Sequence, residues 1–114
     1  MSAARMTFNV LIKKENGGWT AHCLELDIVA QGESFEKAKD EIQSLITIQL
    51  DYALANDNMK YFFKPAPDAV WAEFFACRNI EMHRRRFYGK FTTGKPTPSH
   101  IVTNTTSAEL VCHA

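Results

Sequence analysis

The sequence predicts an α+β domain: a small antiparallel-type sheet of three to four strands backed by one long helix, with a second, shorter helix. Three observations predict it. Two alternating stretches, Thr7 to Lys14 and Trp19 to Leu24, flank the turn dipeptide Asn16-Gly17. A stretch without Gly or Pro, Phe35 to about Ala55, has apolar residues at helical spacing. Lastly, Pro67 precedes the apolar patch Val70, Trp71, Phe74 and Phe75, as it would at a helix start.

In the first strand Phe8, Val10 and Ile12 fall on one side and Thr7, Asn9 and Lys13 on the other, with Leu11 breaking the alternation. Asn-Gly tolerates the positive φ angles of a type I′ turn, whose twist matches a hairpin. On the returning strand Trp19, Ala21 and Cys23 face one way and Thr20, His22 and Leu24 the other. Glu25-Leu26-Asp27 is a bend, and Ile28 to Gln31 a short third strand ending at Gly32. Ser34 is the expected N-cap of the long helix, with Glu36 near the positive end of its dipole. Ala38, Ile42, Leu45, Ile46 and Ala53 form the buried stripe, while Lys37, Asp40, Glu41 and Gln43 fall elsewhere. Asn56-Asp57-Asn58 ends the helix.

Beyond it, Met59 to Phe63 reads as a further strand. Pro65 to Asp68 is extended, and the second helix runs to about Cys77. Residues 79–91 fit either a strand or continued helix. Gly89 to Ser99, with two Gly, two Pro and three Thr, is a loop. Ile101 to Val111 is β-prone or a frayed tail. The whole is one domain, residues 1–114, with a strand-hairpin-helix core at 7–57 and an extension at 58–114.

Composition is that of a globular chain: 114 residues, 46% hydrophobic and 23% charged. No run reaches the roughly 18 apolar residues needed to cross a bilayer, and no basic-then-apolar leader opens the chain, so a cytoplasmic protein off the membrane is expected. Cys23, Cys77 and Cys112 are odd in number and widely spaced, which suits reduced, packing thiols. The glycosylation sequon at Asn104 is discounted for want of a leader. The zero net charge conceals an asymmetry. Residues 1–57 hold five Lys/Arg and nine Asp/Glu, a balance of −4, and residues 58–114 hold eight and four, a balance of +4. Such a layout suits self-association or a charged partner.

Taken together, Asn16-Gly17-Gly18-Trp19, the acidic-Leu pair Glu25-Leu26, the Gly32-Glu33-Ser34 corner and the helix opening Phe35-Glu36-Lys37-Ala38 resemble the N-terminal domain of HicB-like antitoxins over residues 7–57. That family carries Asp/Asn-Gly-Gly plus an aromatic, an acidic-Leu pair, Gly-Asp/Glu-Thr/Ser, and a helix opening on a large apolar residue, Glu and Ala. The resemblance implies a degraded ribonuclease H-like fold without its catalytic carboxylates, and a protein that masks a small toxin ribonuclease. Leu24 stands where the family commonly has proline, and residues 68–114 spell neither of the DNA-binding motifs that many members carry.

Of the candidate chemistry, Glu25, Asp27 and Glu33 could hold a divalent ion, but acidic residues at strand ends are ordinarily solvated. His22-Cys23 and Cys112-His113 lack zinc-site spacing, because neighbouring strand residues point to opposite faces. The reading is therefore a binding protein without cofactor or metal, not an enzyme. Trp19, Glu25, Asp27 and Glu33 are the expected partner-binding residues, the partner being a small basic toxin-like protein met by a homodimer. The alternative is a nucleic-acid-binding module using the basic aromatic segment 83–91, with Arg84, Arg85, Arg86, Tyr88 and Lys90. That segment also reads as an exposed basic edge.

Overall fold

In the computed structural model, which describes residues 5–77 and 82–107, the chain begins with the expected hairpin. Strand β1 (Arg5–Glu15) pairs antiparallel with β2 (Gly18–Cys23), and Asn16 and Gly17 turn between them with φ of 49° and 80°. Both values lie in the left-handed region that a type I′ turn requires. Pairing runs past the strand end, where the Leu24 amide donates to the Asn9 carbonyl at 2.9 Å. Asp27, also at positive φ (53°), completes the bend into β3 (Ile28–Gly32), which pairs antiparallel with β2.

Helix α1 (Phe35–Ala55) starts at Ser34, whose Oγ accepts from the Lys37 amide at 3.1 Å. Its end is closed by Asn56, whose side chain donates to the Tyr52 carbonyl, and by Asp57 in the left-handed region at φ 51°. Ala38, Ile42, Ile46, Leu50 and Ala53 face the sheet. They pack on Phe8, Val10, Ile12, Ala21 and Cys23, with Ile101 from the C-terminal half. Gln43, expected off the buried stripe, is itself buried.

Gly32 is where helix and sheet come closest. A Cβ there would lie 2.4 Å from the Ala38 amide nitrogen and 2.8 Å from the Lys37 carbonyl carbon. Both are backbone atoms, so nothing can swing aside.

The second half departs from the expectation in two ways, in the segment after α1 and in the make-up of the sheet. Met59–Tyr61 is a 3-10 turn and not a strand, because Phe62 turns inward to meet Phe8 edge-on at 6.2 Å, closing the end of the core. Residues beyond it run alongside the bend, with the Lys64 and Ala66 amides donating to the Glu25 and Leu24 carbonyls. Helix α2 (Asp68–Cys77) follows Pro67, as expected. The ambiguous segment contains strand β4 (Met82–Phe87), and the Thr-rich run forms β5 (His100–Ser107). Thus the sheet has five strands in the order β3-β2-β1-β5-β4 and is mixed, since β5 lies parallel to β1. An antiparallel sheet of three or four strands falls short because a parallel neighbour comes from a distant segment, with no turn to announce it.

Two layers therefore cover the sheet. α1 lies on one face, and Phe74, Ala66, Val70 and Trp71 pack on Leu11 and Leu24 on the other. Leu11 breaks the alternation of β1 because both faces of that strand are buried. Lys13 and Glu73 pair at 2.6 Å across this second layer. Among the described residues no helix is long and apolar enough to cross a membrane.

The loop between β4 and β5 is fastened to α1. Asp51 accepts from the Thr92 hydroxyl at 2.6 Å and from the Thr92 and Thr93 amides, and Lys95 reaches Asp57 at 2.7 Å.

Gly32→Ala is expected to destabilise the protein by about 1–3 kcal/mol, as forced overpacking against backbone does, read from the urea midpoint. A second expectation concerns the loop. The Thr92 hydroxyl and the amide donors hold the Asp51 carboxyl below its ordinary 3.8. A carboxyl with a depressed folded-state pKa stabilises fully above its unfolded value and loses that contribution as pH falls through the folded one. The protection factors of the Thr92 and Thr93 amides, followed by NMR, should therefore persist to below pH 3.8 and be lost at neutral pH in Asp51→Ala.

Candidate functional site

The residues singled out from the sequence separate into three places. At the hairpin end, β2 presents Trp19 beside Gly32 of β3, and an open concavity of about 500 Å3 forms there. Trp19, Gly32, Glu33 and Glu15 are among its lining residues. Trp19 is half-buried and meets the Phe35 ring at a right angle, 5.7 Å away, with the Lys14 ammonium 5.8 Å over its own ring. Glu33 is almost fully exposed, its nearest cation being Lys37 at 3.9 Å. Two carboxylates and one aromatic wall make this an acidic recess suited to a basic side chain.

The other two acidic candidates lie at the opposite end of β3, about 13 Å away for a strand of five residues. Asp27 Oδ1 stands 2.7 Å from His22 Nε2, and both side chains retain some exposure. Glu25 turns toward β1. Its carboxylate accepts from the Asn9 amide at 2.8 Å and from Asn9 Nδ2 at 2.6 Å, while Asn9 Oδ1 accepts from Asn104 at 3.3 Å. This ladder joins the bend, β1 and β5. Burial raises the Glu25 carboxyl above its ordinary 4.5, against the lowering effect of the Asn9 donors.

Glu25, Asp27 and Glu33 thus do not converge, and among the described residues no three His, Cys, Asp or Glu side chains are grouped to hold a metal ion. Cys23 faces the α1 core, and burial, with the Glu25 charge second, pushes its thiol up to about 12. Such a thiol stays protonated and packs as an apolar group. Its neighbour His22 points to the other face. Cys112 and His113 lie outside the described residues.

Strand alternation divides the basic aromatic segment between the two faces of the sheet. Arg85 and Phe87 lie on the α1 side, where Arg85 reaches Asp40 at 3.4 Å and Phe87 joins the core. Arg85, Tyr88 and Lys90 line a groove against Asp40, Gln43 and Ile48 of α1. Arg84 and Arg86 lie on the opposite face. There they line an open concavity of about 500 Å3 with Arg5, His100 and Val102. Neither Arg5 nor His100 is signalled by the basic run, since His100 joins it through the β4–β5 pairing and Arg5 through the β1–β5 pairing, where it stands opposite His100.

No family model, curated protein or solved structure matches this chain.

Glu25→Ala strips the Asn9 amide and side chain of their acceptor, so it is expected to cost about 1–3 kcal/mol of stability by denaturant titration. An unchanged midpoint would mean that the carboxylate holds nothing in place.

Proposed function

We propose that this chain is a HicB-like antitoxin, or a stand-alone relative, that binds and neutralises a small basic toxin ribonuclease in the cytoplasm as a homodimer. The observation that carries the reading is the acidic edge of the sheet. Strand β3 is hydrogen-bonded on one side only, to β2, and is flanked by Asp27 at its start and Glu33 at its end. Val29, its second residue, is about half exposed. An edge of this kind accepts an added strand through backbone hydrogen bonds, with the flanking carboxylates selecting a basic partner.

Two further features support it. Residues 7–57 form a strand-hairpin-strand-helix unit in which Asn16-Gly17, Gly32 and Ser34, the positions that carry the resemblance, each have a local role. The acidic helix is partly engaged within the chain, with Asp40 on Arg85 and Asp51 on the 92–93 backbone. At the hairpin end Glu33 stays almost fully exposed, with Glu15 beside it in the recess. There Glu33 and the recess beside Trp19 offer a seat for a lysine or arginine.

The test is capture of a small basic protein by the tagged chain, followed by RNA cleavage by the captured protein with and without the chain. Wild-type chain should abolish cleavage, and Val29→Lys with Glu33→Lys should weaken inhibition at least about tenfold, equal to about 1.4 kcal/mol. A captured protein that cleaves no RNA, or full inhibition by the double variant, overturns the reading. Light scattering should give the mass of two chains.

A further inference from the structure

On the sheet face opposite α1, α2 covers Leu11 and Leu24 and leaves the β4 side of that face open. Along this face run Arg5 of β1, His100 and Val102 of β5, and Arg84 and Arg86 of β4. β4 and β1 flank β5, so the strands carrying the arginines are about 10 Å apart, a span that two arginine side chains bridge. Val102 forms an apolar floor, only 3% exposed. Tyr88, just past β4 at the sheet edge, borders the α1-side groove as well, is 71% exposed, and has its ring 6.4 Å from that of His100.

Among the described residues, no carboxylate is paired with Arg5, Arg84 or Arg86. The contrast with Arg85 is informative, since that neighbour crosses to the α1 face and finds Asp40. Like charges on adjacent strand positions repel one another. Three uncompensated guanidinium groups around one concavity therefore suit a ligand that supplies several negative charges at fixed spacing. Guanidinium binds phosphate through a planar fork, and an exposed aromatic at the rim offers a stacking face for a base.

We propose that Arg5, Arg84, Arg86 and His100, with Tyr88 at the rim, form a binding site for the phosphodiester backbone of single-stranded nucleic acid. The site lies on the opposite side of the sheet from Arg85 and at the other edge from β3. It is independent of the protein partner proposed above.

The experiment is fluorescence anisotropy of end-labelled single-stranded RNA and DNA oligomers of roughly ten nucleotides over a salt series. With three arginines each neutralising a phosphate, log K should fall with log salt at a slope of about −2. Arg84→Ala with Arg86→Ala, and separately Arg5→Ala, should weaken binding at least about tenfold at low salt and flatten the slope by about 0.7 per arginine removed. Tyr88→Ala should weaken binding and leave the slope unchanged. Arg85→Ala should bind like wild type, because its guanidinium is on the other face, and circular dichroism verifies that each variant is folded. Absence of binding at low salt, an Arg85→Ala defect as large as that of Arg84→Ala, or equal displacement by polyglutamate would each overturn the assignment.

Discussion

Everything in this molecule is arranged around a central strand with neighbours on both edges. β1 is hydrogen-bonded to β2 from Val10 to Glu15 and to β5 from Arg5 to Ile12. Over Val10–Ile12 it is paired on both edges, and there both of its faces need cover. The need is met on one side by α1 over Phe8, Val10 and Ile12, and on the other by α2 over Leu11. β5 carries the same requirement, which explains a strand whose Thr103, Thr105 and Thr106 are buried along with Ile101 and Val102. Threonine fills such positions with β-branched bulk that suits a pleated sheet.

The same arrangement sorts the charges. Residues 58–114 return to the first half along two routes, one across the sheet edge as β4 and β5, the other along α1 as the loop fastened by Asp51 and Asp57. Part of the opposition between the −4 and +4 halves is thereby satisfied inside the chain, at Arg85–Asp40 and Lys95–Asp57. Glu15 and Glu33 line the recess at the hairpin end, and Arg5, Arg84 and Arg86 line the open face between β1 and β4. Two surfaces of opposite sign at opposite edges of one sheet can engage two different partners without competing for the same atoms.

Local signals made half of the fold legible. The Asn16-Gly17 turn, the Ser34 cap, the helix from Phe35 to Ala55, the stop at Asn56-Asp57 and the second helix after Pro67 all follow from the backbone preferences of a few neighbouring residues. The misreading of Met59–Phe63 as a strand shows the limit. Its aromatic composition suits a strand, yet Phe62 is used to plug the core, and only the position of Phe8 determines that. Periodicity likewise places Gln43 away from the buried stripe, while Arg85 and Phe87 of β4 and the 88–90 corner lie against the side of α1 from which it projects.

The elements of residues 7–57, the α+β class and the opposite charges of the two halves are legible in the chain, because these depend on interactions between residues close in the chain or on composition alone. That β5 enters the sheet beside β1, parallel to it and some 95 residues away, is visible in the folded chain alone. That single pairing converts a run of basic residues into two separate surfaces: strand alternation sends Arg85 to Asp40, and the β1–β5 register brings Arg5 to Arg84 and Arg86. Parallel pairing leaves no local mark in a sequence, since its hydrogen bonds close through a long crossover and are chosen by the packing of the whole chain.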